Sequence, residues 1–342
     1  MELYLDSVNI KEIESAFKLG ILAGLTTTPT FLHREGITDI DGTILKLAKI
    51  VPILQVEALG KNADEIVAEA NRLIKIGLDP KKTVFKIPVS LEGIIACKRL
   101  RDKGMMVNVH LVYTLQQAYM AATAGATYVC PLVGRLQDQG HDALALIEQC
   151  VKMVDRYKYD TKIMFSSVRN LEHVRNAINF GVQTITVPWS VMKKLTENAF
   201  TDLGTKQFFD HTTLMTTTVA EVIREDNPII TLDSTVLDAS LKMTESGFGA
   251  VTVVGSKGEV IGVFTDGVLR RELKDKGKSL LDKKMSDFTF KAPITTTADD
   301  ILENAVALMK THKVDNIVVT SDAKPIGMLD VQDLLKLDLV SG

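Results

Sequence analysis

Short apolar runs alternate with amphipathic, helix-patterned stretches eight times over roughly the first 200 residues. Candidate strands fall at 2–6, 22–28, 52–58, 83–89, 105–113, 127–133, 162–167 and 183–188. Helical patterns lie between them at 63–76, 91–103, 115–124, 143–157 and 170–179. Gly77, Gly104, Gly125 and Gly181 stand where such helices stop, because glycine takes the left-handed cap conformation without strain. Strand then helix, eight times over, predicts a (β/α)₈ barrel. A doubly wound open sheet is the competing architecture, but no Gly-x-Gly-x-x-Gly turn follows an early strand.

One of those strands, Thr83-Val84-Phe85-Lys86-Ile87-Pro88-Val89, carries a lysine in its middle. Alternation places Val84, Lys86 and Pro88 on one face and Phe85, Ile87 and Val89 on the other. A parallel sheet covered on both sides would bury that lysine. Burial disfavours an ammonium, and a neutral lysine amine forms Schiff bases with carbonyls. A strand-end lysine snorkelling to solvent is the plainer alternative. The other strand ends weigh against it: Asp6, Thr26 to Thr28, Gln55 and Glu57, Asn108 and His110, Arg135, and Ser166 and Ser167 all fall at the end where a barrel carries its active site. Each alone reads as a capping or structural residue. Together, around one lysine, they read as a site.

Composition narrows the class. The 342 residues suffice for two domains, and 46% hydrophobic with 24% charged residues describes an ordinary globular chain. A formal net charge of -3 gives no case for a nucleic-acid-binding surface. Three scattered cysteines, Cys97, Cys130 and Cys150, form neither a disulfide framework nor a zinc site and suit a reducing compartment. No charged-then-apolar leader and no membrane-length apolar run stand out, so the expectation is a cytoplasmic protein without a membrane partner.

Residues 1 to about 210 resemble the small transaldolase and fructose-6-phosphate aldolase family. The resemblance rests on Met1-Glu2-Leu3-Tyr4-Leu5-Asp6, Ala23-Gly24-Leu25-Thr26-Thr27-Thr28-Pro29 and Lys86-Ile87-Pro88-Val89-Ser90. It continues through Gly125-Ala126-Thr127-Tyr128-Val129, Gly134-Arg135 and Thr184-Ile185-Thr186-Val187-Pro188. It implies a Schiff-base lysine at Lys86 and a substrate-contacting carboxylate at Asp6. Gln55 falls where the aldolases carry glutamine and the transaldolases a catalytic glutamate. Arg135 and Ser167 match positions that hold a phosphate or similar anion, a task suited to the forked guanidinium.

The departures fall within the site. Thr28 replaces the asparagine of Thr-Thr-Asn-Pro, which contacts the bound sugar. His110 stands where the family has the threonine that holds a catalytic water, and Leu132 replaces a tyrosine or phenylalanine. His110 or Glu57 is then the expected acid/base, alongside catalytic Lys86, Asp6 and Gln55. Thr26, Thr28, Glu57, Asn108, Arg135, Ser166 and Ser167 are the expected substrate-binding set. Without a tyrosine at Leu132 an enamine is poorly protonated, which favours a transaldolase moving a dihydroxyacetone unit from a sugar phosphate. An aldolase of the same family and a non-catalytic sugar sensor are the alternatives. No cofactor and no metal are required.

The remainder reads as a second unit with an internal repeat, joined by a threonine-rich linker at 212–218. Strand 229–234, helix 236–246 and strands 250–254 and 260–266 recur as strand 293–296, helix 298–311 and strands 316–320 and 325–330. The expected division is a barrel over 1–211 and a second domain over 212–342, with repeats at about 215–275 and 280–337. This half resembles a pair of cystathionine-β-synthase (CBS) domains, a smaller α+β module, with Gly262–Gly267 similar to the pair attached to arabinose-5-phosphate isomerases. Such pairs usually hold adenine nucleotides between their halves. The resemblance implies Thr265 and Asp266 in the first repeat and Asp330 and Asp333 in the second as nucleotide-binding residues. Arg270 and Arg271 are further phosphate candidates. A homo-oligomer is expected.

Overall fold

A computed structural model describes residues 1–224 and 226–336, and these fall into two compact units, Met1–Glu197 and Asn198–Gly342. Leu337, the last residue of the expected second repeat, lies outside the described residues.

In the first unit eight parallel strands close into a barrel in sequence order. They are β1 (Glu2–Asp6), β2 (Gly24–Thr26), β3 (Leu54–Glu57), β4 (Thr83–Pro88), β5 (Met106–Val112), β6 (Tyr128–Pro131), β7 (Lys162–Phe165) and β8 (Thr184–Val187). Pairing of Glu2 to Leu5 with Thr184 to Val187 shuts the ring. Alternation then sorts side chains into two layers. Leu5, Leu25, Val56, Phe85, Ile87, Val109, Val129 and Ile185 point outward and join the helices in the main core. Tyr4, Val84, Tyr128, Cys130, Leu132 and Met164 point inward and fill the barrel as a separate cluster. Phe85 is wholly buried, and burial of such a ring contributes about 1.5–3 kcal/mol.

The helices start where short polar side chains follow strands. Asn62, Ser90, Thr114 and Asn170 each accept a backbone N–H from the first turn of the helix they cap, and Thr114 forms a reciprocal capping box with Gln117. Gly181 closes Leu171–Phe180 in the left-handed conformation, as its position suggests.

The second unit opens with the helix Ala199–Thr216. The expected linker and the boundary at 211/212 are therefore corrected: residues 212–216 are helical, and the break between compact units precedes Asn198. Threonine is a poor helix former, but Thr213 and Thr216 donate to the Phe209 and Thr212 carbonyls, and Leu214 packs on the core beyond.

Two three-stranded sheets follow. The first holds β9 (Ile229–Thr231), β10 (Ala250–Val254) and β11 (Val260–Thr265); the second holds β12 (Thr295–Thr297), β13 (Asn316–Ser321) and β14 (Lys324–Asp330). In each, the middle strand pairs parallel with the first and antiparallel with the third. The predicted repeat is thus present. Its second helix begins at Leu302, four residues later than the pattern indicates, because Ala298 to Ile301 form the approach to it. Phe248, Ala250, Val318 and Met328 join the two repeats in one small apolar cluster. The start of the first repeat completes the core of the second: Val219 is buried beside Leu302, and Val219 and Ala220 donate to the carbonyls of Asp300 and Ala298.

Candidate active site

The strand ends of the barrel enclose a cavity of about 270 Å³. Lys86, near the end of β4, reaches into it from a strand that is otherwise apolar. Its side chain is only 5% exposed. Two acceptors hold Nζ: the Thr27 carbonyl at 2.7 Å and Glu57 Oε1 at 3.0 Å. The β3–β4 register sets Glu57 directly opposite Lys86, so the pair is dictated by backbone pairing.

Glu57 turns its second oxygen toward His110 Nε2, 2.9 Å away, along a line poorly aligned for a hydrogen bond. Burial pushes the Glu57 carboxyl up, yet the Lys86 charge and His110 together outweigh it and hold it below the usual carboxylate range. Burial holds the His110 imidazole below its ordinary range against the opposite pull of Glu57. Across the mouth, burial raises Asp6, opposed by the Lys86 charge and by the Thr26 hydroxyl, which donates to Oδ1 at 2.8 Å. Thr26 also meets Thr186 Oγ1 at 2.5 Å.

β5 delivers two consecutive residues to the cavity. A bulge interrupts its pairing with β6 between His110 and Val112, and Leu111 takes φ +57°, so both His110 and Leu111 line the wall. A leucine in the left-handed region stores strain, a condition concentrated at functional sites. Ser167 has φ +59° and lines the rim with Arg135. Gly134 approaches the Ser167 carbonyl so closely that no Cβ fits between them. Arg135 is exposed and has no hydrogen bond or ion pair among the described residues.

Of the residues singled out in the sequence, Asp6, Thr26, Thr28, Glu57, Lys86, Asn108, His110, Arg135, Ser166 and Ser167 all border this cavity. Thr28 does so while capping the helix Pro29–Arg34. Gln55, expected among the catalytic groups, does not border it. It lies fully buried one step deeper in the barrel and accepts from Asn108 Nδ2 at 2.7 Å. Inward direction was right for both Gln55 and Glu57; only the register with β4 decides which reaches Lys86. Thr186, Cys130 and Met164 also border the cavity and were not anticipated, although all three lie on inward faces. Cys130 donates to Ser166, and burial pushes its thiol up to about 11.

In the second unit three of the expected nucleotide residues, Thr265, Asp330 and Asp333, already hold partners. Thr265 caps the helix Asp266–Lys276 by accepting from Val268 N–H. Asp330 accepts from Asn316 and from the Gln332 N–H, both at 2.7 Å. Asp333, 6% exposed, pairs with Arg224 at 3.1 Å and Lys336 at 3.2 Å. Arg224 in turn stacks 3.7 Å from the Phe248 ring centroid and donates to the Ser246 carbonyl, tying the two repeats together. No hydrogen bond or ion pair among the described residues joins Thr265 or Asp266 to Asp330 or Asp333. No helix among the described residues is long and apolar enough to cross a membrane, and none of their His, Cys, Asp or Glu side chains cluster as metal ligands.

Comparison with known proteins adds the following. The profile described as Transaldolase/Fructose-6-phosphate aldolase matches residues 3–232, and the CBS domain profile matches 219–275 and 285–339. "Probable transaldolase 2" of Bacillus anthracis is 37% identical over 215 residues, covering 61% of this chain and 96% of that protein. A "Probable transaldolase" of Coprothermobacter proteolyticus is 39% identical over 210 residues, covering 61% and 94%. Among solved structures, a CBS-domain-containing protein from Agrobacterium tumefaciens aligns over 35% of this chain and 92% of its own, at 18% identity and a TM-score of 0.33.

Proposed function

This chain belongs to the transaldolase/fructose-6-phosphate aldolase family, and on that footing we propose that it transfers a dihydroxyacetone unit from a ketose phosphate, or a related ketose, to an aldehyde acceptor through a Schiff base on Lys86. The observation that carries the reading is a buried lysine at a barrel strand end, reaching a cavity beside a carboxylate positioned to take its proton. The amine attacks the ketose C2 carbonyl, and the iminium draws electrons as the C3–C4 bond breaks. Asp6 takes the C4 hydroxyl proton, leaving an aldehyde and a Lys86 enamine. The enamine then adds to the acceptor aldehyde. Arg135 and Ser167 at the rim suit the substrate's anionic end.

Leu132 contributes an apolar wall where an enamine would otherwise meet an acid, which supports transfer over hydrolytic release. Incubation with fructose 6-phosphate and borohydride is expected to add a reduced sugar or three-carbon unit to Lys86, and Lys86→Met should abolish the addition. Rapid release of dihydroxyacetone without erythrose 4-phosphate would assign an aldolase. No adduct with any ketose would leave a non-catalytic sensor.

For the CBS pair the proposal is a regulatory or oligomerising module that takes an adenine or other nucleotide, in a cytoplasmic homo-oligomer. Phe200, Leu203, Phe208 and Phe209, all exposed on the helix Ala199–Thr216, support association. A sedimentation mass equal to one chain would exclude it. A nucleotide using Asp333 has to displace Arg224, so Arg224→Ala should tighten binding of ATP or AMP to the full chain. Unchanged affinity would direct attention to Thr265.

A further inference from the structure

Forming the iminium at Lys86 requires that nitrogen lose two protons and the departing C2 oxygen gain two. Glu57, at 3.0 Å from Nζ, accounts for one carrier. The second carrier lies behind it. His110 Nε2 is shut off from solvent and faces Glu57 Oε2 at 2.9 Å. Nδ1 has no protein partner among the described residues and is left as the nitrogen facing the cavity that His110 borders. A carboxylate beside Nε2 favours the proton there, which leaves the Nδ1 lone pair toward the substrate. The backbone fixes this aim. The bulge in β5 and the left-handed Leu111 follow His110 immediately, and the Val89 N–H donates to the His110 carbonyl at 3.0 Å.

We propose that His110 is the acid–base catalyst of the exchange between the Lys86 nitrogen and the substrate carbonyl, acting through Nδ1 while the β5 bulge holds its ring with Nε2 beside Glu57. The proposal rests on the reading that Lys86 forms the Schiff base. Lys86 gives its first proton to Glu57 and attacks C2, forming the N–C bond. Nδ1 takes a second proton from the now cationic nitrogen and delivers it to the C2 alkoxide. The carbinolamine hydroxyl then leaves as water with the proton held by Glu57, and the nitrogen lone pair closes the C=N bond. Glu57 ends ionised, His110 neutral, and the positive charge rests on the iminium. No external water has to bridge Glu57 and the substrate.

Carbonyl exchange isolates this step from carbon–carbon chemistry. Dihydroxyacetone in H₂¹⁸O gains label at C2 each time the Schiff base forms and hydrolyses, and mass spectrometry reads the rate above the enzyme-free background. His110→Gln is expected to slow exchange by about 10²–10⁴-fold, the usual range for removal of a general acid–base group, and Lys86→Met to reduce it to background. His110→Gln at the wild-type rate, with Lys86→Met at background, overturns the role of His110 and leaves the Schiff base standing. Undiminished exchange in Lys86→Met defeats the Schiff-base reading itself. If His110→Gln does not fold, judged by Trp189 fluorescence, His110→Asn is measured in its place against the same expectations.

Discussion

Lys86 and Glu57 stand opposite each other across the β3–β4 pair, and their side chains, 5% and 8% exposed, meet at 3.0 Å inside the barrel mouth. Removing one member of a buried pair strands the other charge, at a cost of about 3–5 kcal/mol. Glu57→Leu should therefore destabilise the barrel by about that amount. In the Lys86→Met background the same change should cost far less, since no ammonium remains to be neutralised. Denaturant unfolding followed through Trp189, the single tryptophan, measures both. Additive losses would show that the pair is not coupled.

Asp6 is predicted to make the enzyme less stable than it could be. Its folded-state pKa lies above the unfolded value, chiefly through burial, so the fold prefers the protonated carboxyl. That preference stabilises the protein below the unfolded pKa and is lost as pH rises through the folded one. Asp6→Asn should consequently raise the melting temperature at pH 8 while abolishing turnover, and the gain should shrink toward pH 4. A melting temperature lowered at pH 8 would contradict this.

His110 carries the opposite sign. Its folded-state pKa is depressed below the ordinary 6.5, so its contribution is complete above that value and declines as pH falls toward the folded pKa. Between pH 7 and pH 5 the wild-type melting temperature should fall more steeply than that of His110→Gln. Parallel curves would remove His110 from the titration.

Arg135→Ala should raise KM for a phosphorylated ketose by about 10–150-fold, the equivalent of one charged hydrogen bond worth about 1.5–3 kcal/mol. KM for dihydroxyacetone should change little, because that ligand brings no anion to the rim. Equal effects on both would place Arg135 outside anion recognition.

In the second unit, Arg224→Ala leaves the Asp333 carboxylate with Lys336 alone and removes the stack on Phe248. A loss of about 1–3 kcal/mol is expected in the unfolding of that unit, as for a buried polar group deprived of its partner. Lys336→Ala, which removes an exposed partner, should cost under about 1 kcal/mol. Calorimetry of the full chain distinguishes the two, and equal losses would deny Arg224 its tying role.

The barrel could be read from the sequence because each strand is a local pattern and each helix stop a local residue. Lys86 stood out because a charge interrupts an apolar strand. The choice between Gln55 and Glu57 could not be read, since both point inward and only pairing with β4 sets their depth. The same holds for Leu111, whose left-handed backbone follows from a bulge against β6, and for the Arg224–Asp333 pair, whose members lie 109 residues apart in the chain. The helix Ala199–Thr216 was missed because its threonines signal a break while Leu214 finds its partner on a distant core.

Val219, buried beside Leu302, ties the order of synthesis to the order of folding. The stretch that finishes the second repeat lies at the very start of the first, so it leaves the ribosome before the rest of either repeat. Its partner follows about 80 residues later, roughly 4–16 s at 5–20 residues per second. During that interval Leu214 and Val219 lack Leu302 and the rest of the core they share, so the nascent second unit cannot complete its packing until its last helices emerge. A stop codon between the repeats would make that exposure permanent, and the shortened chain should be cleared by proteolysis.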